Sequence, residues 1–217
     1  MRLAGKVAIV TGAARDEGIG AATARMFANE GAYVAIGDIQ KSRGKDVESE
    51  INQGGGKCIF IHLDVTNEIS WEKSVADTIG EFGRIDILVN NAGVSAVGLV
   101  EDTSVEDWDR VMDINAKGVF LGTKTVIPEM IKVGGGSIIN ISSLGSKKVL
   151  PYYFSVGTSK AALEAITKYL AVELSDKNIN VNAISAGLVE TDALKSFPNK
   201  KNMISNSLNN PSGRSLT

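Results

Sequence analysis

The sequence predicts a three-layer α/β domain in which a doubly wound, parallel sheet is covered by helices on both faces. Two observations carry this. Short β-rich runs alternate with longer amphipathic segments from the first residues onward, and a glycine-rich turn, 12–20, joins the first such run to the first helical one. The length, 217 residues, is that of one domain spanning 1–217, and the 43% hydrophobic content is enough for a substantial core.

The elements follow in order. Val7-Ala8-Ile9-Val10 reads as the first strand, Ala21 to Glu30 as a helix and Tyr33-Val34-Ala35-Ile36 as the second strand. A helix over Lys41 to Asn52, a strand at Ile59 to Ile61, a helix over Glu68 to Phe82 and a strand at Ile87 to Val89 come next. A helical region from Val105 to Met130 precedes a strand at Ser137 to Ile141. A long helix ending near Leu174 and a strand at Ile179 to Ile184 complete six strands. Gly54-Gly55-Gly56 and Gly134-Gly135-Gly136 sit between a helix and the next strand, where glycine ends the helix.

Composition excludes several function classes. With 23 Lys and Arg against 25 Asp and Glu, the chain lacks the one-sided positive charge that nucleic acid requires. No apolar run approaches the ~18 residues of a membrane span, and the N-terminus lacks a signal peptide's apolar stretch, so a cytoplasmic protein is expected. The single cysteine, Cys58, lies in an apolar strand and is expected to be a buried, inert thiol. His62 has no partner at ligand spacing, so no metal is expected.

The turn Thr11-Gly12-Ala13-Ala14-Arg15-Asp16-Glu17-Gly18-Ile19-Gly20 lets the backbone approach a pyrophosphate, which would rest on the positive end of the next helix. Gly12, Gly18, Ile19 and Gly20 are the candidate contacts. Asp38, eighteen residues past Gly20, either accepts hydrogen bonds from an adenosine ribose or caps the helix starting near Lys41. A carboxylate there repels a 2′-phosphate and favours NAD(H). Arg15 keeps NADP(H) open as a phosphate partner, or is a solvated loop charge.

Further along stand Leu63-Asp64-Val65, Asn90-Asn91-Ala92-Gly93, Asn115 and Ile141-Ser142-Ser143. In this order, over nearly the whole chain, they resemble the signatures of the short-chain dehydrogenase/reductase family, which implies a Rossmann-like fold. The resemblance places Asp64 and Val65 beside the adenine, and Asn91, Ala92 and Gly93 beneath the cofactor. Thr191 resembles the family's contact to the nicotinamide amide, in a motif where Ala186 stands for the usual proline. It also implies association into dimers or tetramers through the helices around Val105 to Met130 and Phe154 to Leu174.

The commonest family members use an Asn, a Ser, a Tyr and a Lys, with the Tyr four residues before the Lys. Asn115, Ser143 and Lys160 fall in that register, but the position four before Lys160 is Val156. A helix turns ~100° per residue, so a side chain seven positions before Lys160 returns to nearly the same face, and that residue is Tyr153. Tyr152 would point roughly 80° away. If the helix already runs at residue 153, its phenol originates ~4.5 Å further along the axis than the usual one.

A tyrosine set further out suits reduction of an α,β-unsaturated thioester, where hydride reaches the β-carbon and charge gathers on a carbonyl oxygen two carbons away. The seven-residue spacing, the six-residue Gly12 to Gly18 separation and the segments Ser143-Leu144-Gly145, 156–164 and Thr191-Asp192-Ala193-Leu194 resemble enoyl-acyl-carrier-protein reductases, type III above all. The resemblance implies Tyr153 as proton donor and Lys160 as the holder of the nicotinamide ribose. Asn115 would bond backbone or a water leading to Lys160. Ser143 would either bond substrate oxygen or cap its loop, and Tyr153 could alternatively cover the core.

Two other readings remain. One is carbonyl reduction, as in a 3-oxoacyl reductase or an alcohol or sugar dehydrogenase. The other is an inactive dinucleotide-binding protein or a fragment, since family members usually continue past a point like Gly213-Arg214 into a helix and a seventh strand, which this chain lacks.

Overall fold

Val7–Thr11 forms β1, a strand buried along its whole length, and the parallel strands β2 (Tyr33–Asp38) and β4 (Ile87–Asn90) pair on its two sides. The computed structural model describes residues 1–189. β3 (Lys57–His62) lies outside β2, while β5 (Gly136–Ser143) and β6 (Ile179–Ala186) extend the other half, giving the order β3-β2-β1-β4-β5-β6 with all pairs parallel. The order reverses between β1 and β4, the kind of switch point at which open α/β sheets leave a crevice beyond the strand C-termini.

Helices α1 (Ile19–Asn29) and α2 (Lys41–Gln53) cover one face. Ala21, Ala24 and Ala28 pack there with Val34, Ile36, Val47 and Ile51. On the other face lie α3 (Glu68–Phe82), α5 (Gly118–Lys132) and α6 (Phe154–Glu173). Their core is built around Trp71, which is wholly buried with Leu88, Val126, Met130 and Ile138. The Trp71 indole donates to the Val65 carbonyl at 3.0 Å, and Gly122 leaves room for it, since a Cβ there would fall 2.5 Å from the ring. The glycine turns behave as expected: Gly55, Gly134 and Gly135 have φ of 86°, 87° and 133°.

The helical region expected from Val105 to Met130 is not continuous. It divides into α4 (Val105–Met112), a π-helical turn at Asp113–Lys117 and α5, and it extends to Lys132. Ser104 caps α4 by accepting from the Asp107 N–H at 3.0 Å. The widened turn carries Asn115, whose amide is drawn to a neighbouring loop. Side-chain capture of this kind accounts for a π turn inside a helix.

Candidate active site

The site begins where β1 ends. Thr11 Oγ1 donates to the Val89 carbonyl at 3.3 Å and accepts from the N–H groups of Asn91 and Ala92 at 3.0 and 2.9 Å. Asn91 Nδ2 returns bonds to the carbonyls of Thr11 and Gly12 at 2.8 and 3.0 Å. These five bonds join the end of β4 to the glycine turn. Gly12 has φ 64°, and a Cβ there would lie 2.7 Å from Ala92 Cα, so glycine is required on two grounds.

Gly18 caps α1 in extended conformation, with no side-chain cap and no acidic residue in the first turn. A Cβ on Gly20 would meet Asn91 Nδ2 and the Gly12 carbonyl at 2.5 Å each. The Gly18 N–H closes the loop on the Arg15 carbonyl at 2.9 Å, and the backbone donors of Ile19 and Gly20 sit at the positive end of a helix, over a floor that excludes side chains. That arrangement fits a pyrophosphate.

Asp38 ends β2 and is 9% exposed. Its Oδ2 accepts from Ala14 N at 3.1 Å and Oδ1 from Gln40 N at 2.9 Å. Each oxygen keeps a second lone pair for a hydroxyl donor, and the buried charge repels a further anion. The bond to Gln40 N fixes the residue in front of α2, although Asp38 is not itself the cap: Gln40 holds that position and no side chain caps the helix. Arg15 lies exposed on the loop. Asp64 takes the Thr66 N–H and hydroxyl at 2.9 and 2.7 Å, and Val65 is buried with its carbonyl on Trp71. The residues present therefore fit a dinucleotide.

The reacting end gathers around Gly93, where a Cβ would lie 3.3 Å from Asn115 Oδ1 and 3.7 Å from Lys160 Nζ. Asn115 is wholly buried. Its Oδ1 accepts from Val94 N at 2.9 Å, while Nδ2 donates to the Val94 carbonyl and to Ser159 Oγ at 3.0 and 3.1 Å. Lys160 is 8% exposed and donates to the Ile141 carbonyl at 2.7 Å. Burial pushes its ammonium down to about 8.

Tyr153 enters by a different route from the one the spacing implies. α6 starts at Phe154, and Tyr153 is its cap, with φ −110° and ψ 20°. The two-turn arithmetic along a continuous helix therefore does not describe it. The preceding residue, Tyr152, adopts φ 64°, and its carbonyl accepts from Gly98 N at 3.1 Å, which ties the cap to the loop after β4. From the cap, the ring crosses Gly145 and the phenol oxygen stands 3.3 Å from Ser143 Oγ. Tyr153 is half-buried, burial raises its phenol pKa, and the Ser143 contact opposes the rise. Ser143 also accepts from Gly145 N at 3.2 Å, so it caps its loop and faces the phenol together. Val156, one turn before Lys160, is 3% exposed and apolar.

Thr191, Ala193, Leu194 and Gly213 lie outside the described residues. Among the described residues, no group of three or more His, Cys, Asp or Glu could hold a metal ion, and no helix is long and apolar enough to cross a membrane. Cys58 is 4% exposed, and burial pushes its thiol up to about 12, which makes it inert.

Sequence reasoning did not single out Thr11 or Ser159, although each stands directly beside a recognised signature, nor Glu164 as a partner of the Ser142 and Ser146 hydroxyls. Contacts of that kind join residues remote in sequence.

A family model described as "Enoyl-(Acyl carrier protein) reductase" matches residues 12–217. The chain belongs to the short-chain dehydrogenase/reductase family. It is 42% identical over 197 residues to 2,5-dichloro-2,5-cyclohexadiene-1,4-diol dehydrogenase of Sphingobium indicum, covering 91% of this chain and 78% of the relative. It is also 42% identical over 200 residues to the 3-oxoacyl-[acyl-carrier-protein] reductase of Thermotoga maritima, covering 92% and 80%. The crystal structure of a dehydrogenase/reductase from Sinorhizobium meliloti 1021 superposes with a TM-score of 0.90 at 34% identity, over 99% of this chain and 83% of that one. This short-chain dehydrogenase/reductase is accordingly an oxidoreductase dependent on NAD(H) or NADP(H), with the Rossmann-like fold that the strand order displays.

Proposed function

We propose that this short-chain dehydrogenase/reductase reduces the carbon–carbon double bond of an enoyl thioester, carried on coenzyme A or an acyl carrier, with Tyr153 as the proton donor. One observation carries the reading: the position one turn before Lys160 is the buried, apolar Val156, and a phenol reaches Ser143 from the helix cap at residue 153 instead. A donor rooted at the helix cap, before the first residue of α6, suits an oxygen remote from the carbon that takes hydride. The match to a family model described by enoyl reduction supports it.

When bound, the nicotinamide supplies the hydride. The Tyr153 hydroxyl stabilises the enolate oxygen of the substrate and delivers a proton. The buried Lys160 ammonium, held on the Ile141 carbonyl, holds the ribose hydroxyls and lowers the phenol's proton affinity through its charge. Asn115 and Gly93 set the wall beside Lys160. Asp38 favours NADH by repelling the extra phosphate of NADPH. The protein associates through α5 and α6, where Phe120, Tyr169 and Val172 are more than half exposed.

A second reading, reduction of a ketone, is favoured by the Ser143 and Tyr153 hydroxyls lying 3.3 Å apart, since two converging hydroxyls can polarise one carbonyl oxygen. The names of the relatives, a diol dehydrogenase and a 3-oxoacyl reductase, point the same way. Crotonyl- and acetoacetyl-thioesters offered separately with NADH and NADPH decide between them. Turnover of the crotonyl thioester is expected, and turnover of the acetoacetyl thioester alone overturns the enoyl reading.

A further inference from the structure

Outside the reacting group, the structure holds a half-buried carboxylate with two serine partners and a lysine, Lys147, whose Nζ lies 3.8 Å from its Oε2. Glu164, four residues past Lys160 on α6, has a side chain that is 13% exposed, and its Oε1 accepts from Ser142 Oγ at 2.8 Å and from Ser146 Oγ at 2.6 Å. The two serines flank Ser143 and Gly145. Ser146 Oγ also lies 2.7 Å from the Ser143 carbonyl, sharing its proton between two acceptors. The Ser146 bond above all, with the Ser142 bond and the charges of Lys147 and Lys168, outweighs burial and holds the carboxylate below its ordinary pKa, so Glu164 stays ionised and remains an acceptor at neutral pH.

The turn that Glu164 grips is also the surface beneath the phenol. A Cβ on Gly145 would lie 2.5 and 2.6 Å from two carbons of the Tyr153 ring, and a Cβ on Gly157 would lie 3.0 Å from the Gly145 carbonyl. Residue 145 must therefore be glycine for the ring to lie where it does, and α6 must carry glycine at 157 for the turn to approach it. A cap residue has no helical backbone to fix its side-chain direction, and another surface has to do so.

We propose that Glu164 and Gly145 are positioning residues: the carboxylate latches the 142–146 turn to α6, and the turn seats the Tyr153 ring so that its hydroxyl meets Ser143. The proposal rests on the reading of Tyr153 as proton donor for its consequence in catalysis, and on geometry alone for the seat itself. Gln at 164 keeps the accepting oxygen and preserves the seat. Leu at 164 leaves the Ser142 hydroxyl, 5% exposed, without its acceptor, and the turn loosens. Ala at 145 pushes the ring off directly.

The test uses the full chain labelled with ¹³C at tyrosine Cζ. The sequence has four tyrosines, and the Tyr153 signal is assigned by its loss in Tyr153→Phe. In Glu164→Leu and Gly145→Ala the Tyr153 titration midpoint falls toward the ordinary phenol value of about 10, as the ring is released into water. In Glu164→Gln it stays at the wild-type position. Crotonyl-thioester turnover with NADH falls about 100-fold in kcat for the first two variants, the loss expected of a reacting group displaced by ~1 Å, while KM for NADH stays within about twofold.

A wild-type Tyr153 titration in both Glu164→Leu and Gly145→Ala overturns the seat, and so does an equal loss in Glu164→Gln and Glu164→Leu. If Tyr153→Phe keeps wild-type turnover, the proton-donor reading fails while the titrations still judge the seat. The titrations need no substrate, and Glu164→Leu decides the matter if Gly145→Ala does not fold.

Discussion

The phenol oxygen of Tyr153 stands 3.3 Å from the hydroxyl oxygen of Ser143, although Tyr153 caps α6 rather than lying within it. Ser143 lies two residues past Ile141, whose carbonyl takes the Lys160 ammonium, and most of the expected behaviour follows from this arrangement.

Removing the phenol oxygen removes the proton donor and leaves the packing of the ring on Gly145. Tyr153→Phe should lower kcat by about 100-fold to 10,000-fold, the usual contribution of a positioned general acid. Its thermal unfolding midpoint should stay near that of the wild type. Steady-state kinetics beside a melting curve check both, and Tyr152→Phe, at a residue that is 40% exposed, serves as the control that retains activity.

Lys160 gives the site a pH limit. Burial pushes its ammonium down to about 8, so it is charged below that value and neutral above it, and a neutral amine attracts the electron-rich ribose hydroxyls less. NADH affinity should therefore fall as pH rises, by about tenfold between pH 7 and 9 if only the charged form binds. Calorimetric titration at several pH values measures it. Lys160→Met should bind weakly throughout, with the pH dependence gone.

The charge of Asp38 is expected to set cofactor preference. Asp38→Asn retains an acceptor for the backbone N–H groups of Ala14 or Gln40 and removes the repulsion. The ratio of kcat/KM for NADPH over NADH should rise at least about tenfold, since like charges brought together cost several kcal/mol. An unchanged ratio would show that another residue selects the cofactor.

Gly12→Ala combines a left-handed backbone with a Cβ 2.7 Å from Ala92 Cα. Such strain costs about 1–3 kcal/mol before the steric overlap is counted. A lower urea midpoint and lost NADH binding are expected. Gly55→Ala, where φ is also positive but no atom lies within 4 Å, should lose stability alone and keep binding.

Much of the fold was legible because its signals are local. Alternating β-rich runs and amphipathic segments mark strands and helices, and the expected bounds of α3 coincide with the observed Glu68–Phe82. All six strands run one to three residues longer than expected, since ladder pairing carries on into residues of weaker strand character such as Thr11, Asp38, His62 and Ser143. The break at Asp113–Lys117 was not legible. Its cause, Asn115 gripping the backbone of Val94, lies twenty-one residues away in sequence.

The sequence by itself determined the order and type of the elements and the place of the glycine turn between β1 and α1, because these follow from periodicity and spacing along one chain, while the register of Asn115, Ser143 and Lys160 came from the family resemblance. Only the tertiary structure decided how a tyrosine enters the site. At a helix cap the side-chain direction is not fixed by helical geometry, and it is set by the left-handed Tyr152 before it and by the bare Gly145 on which the Tyr153 ring lies. Whether a ring can occupy that space depends on where Glu164, Ser142 and Ser146 hold the turn, and no spacing rule contains that contact.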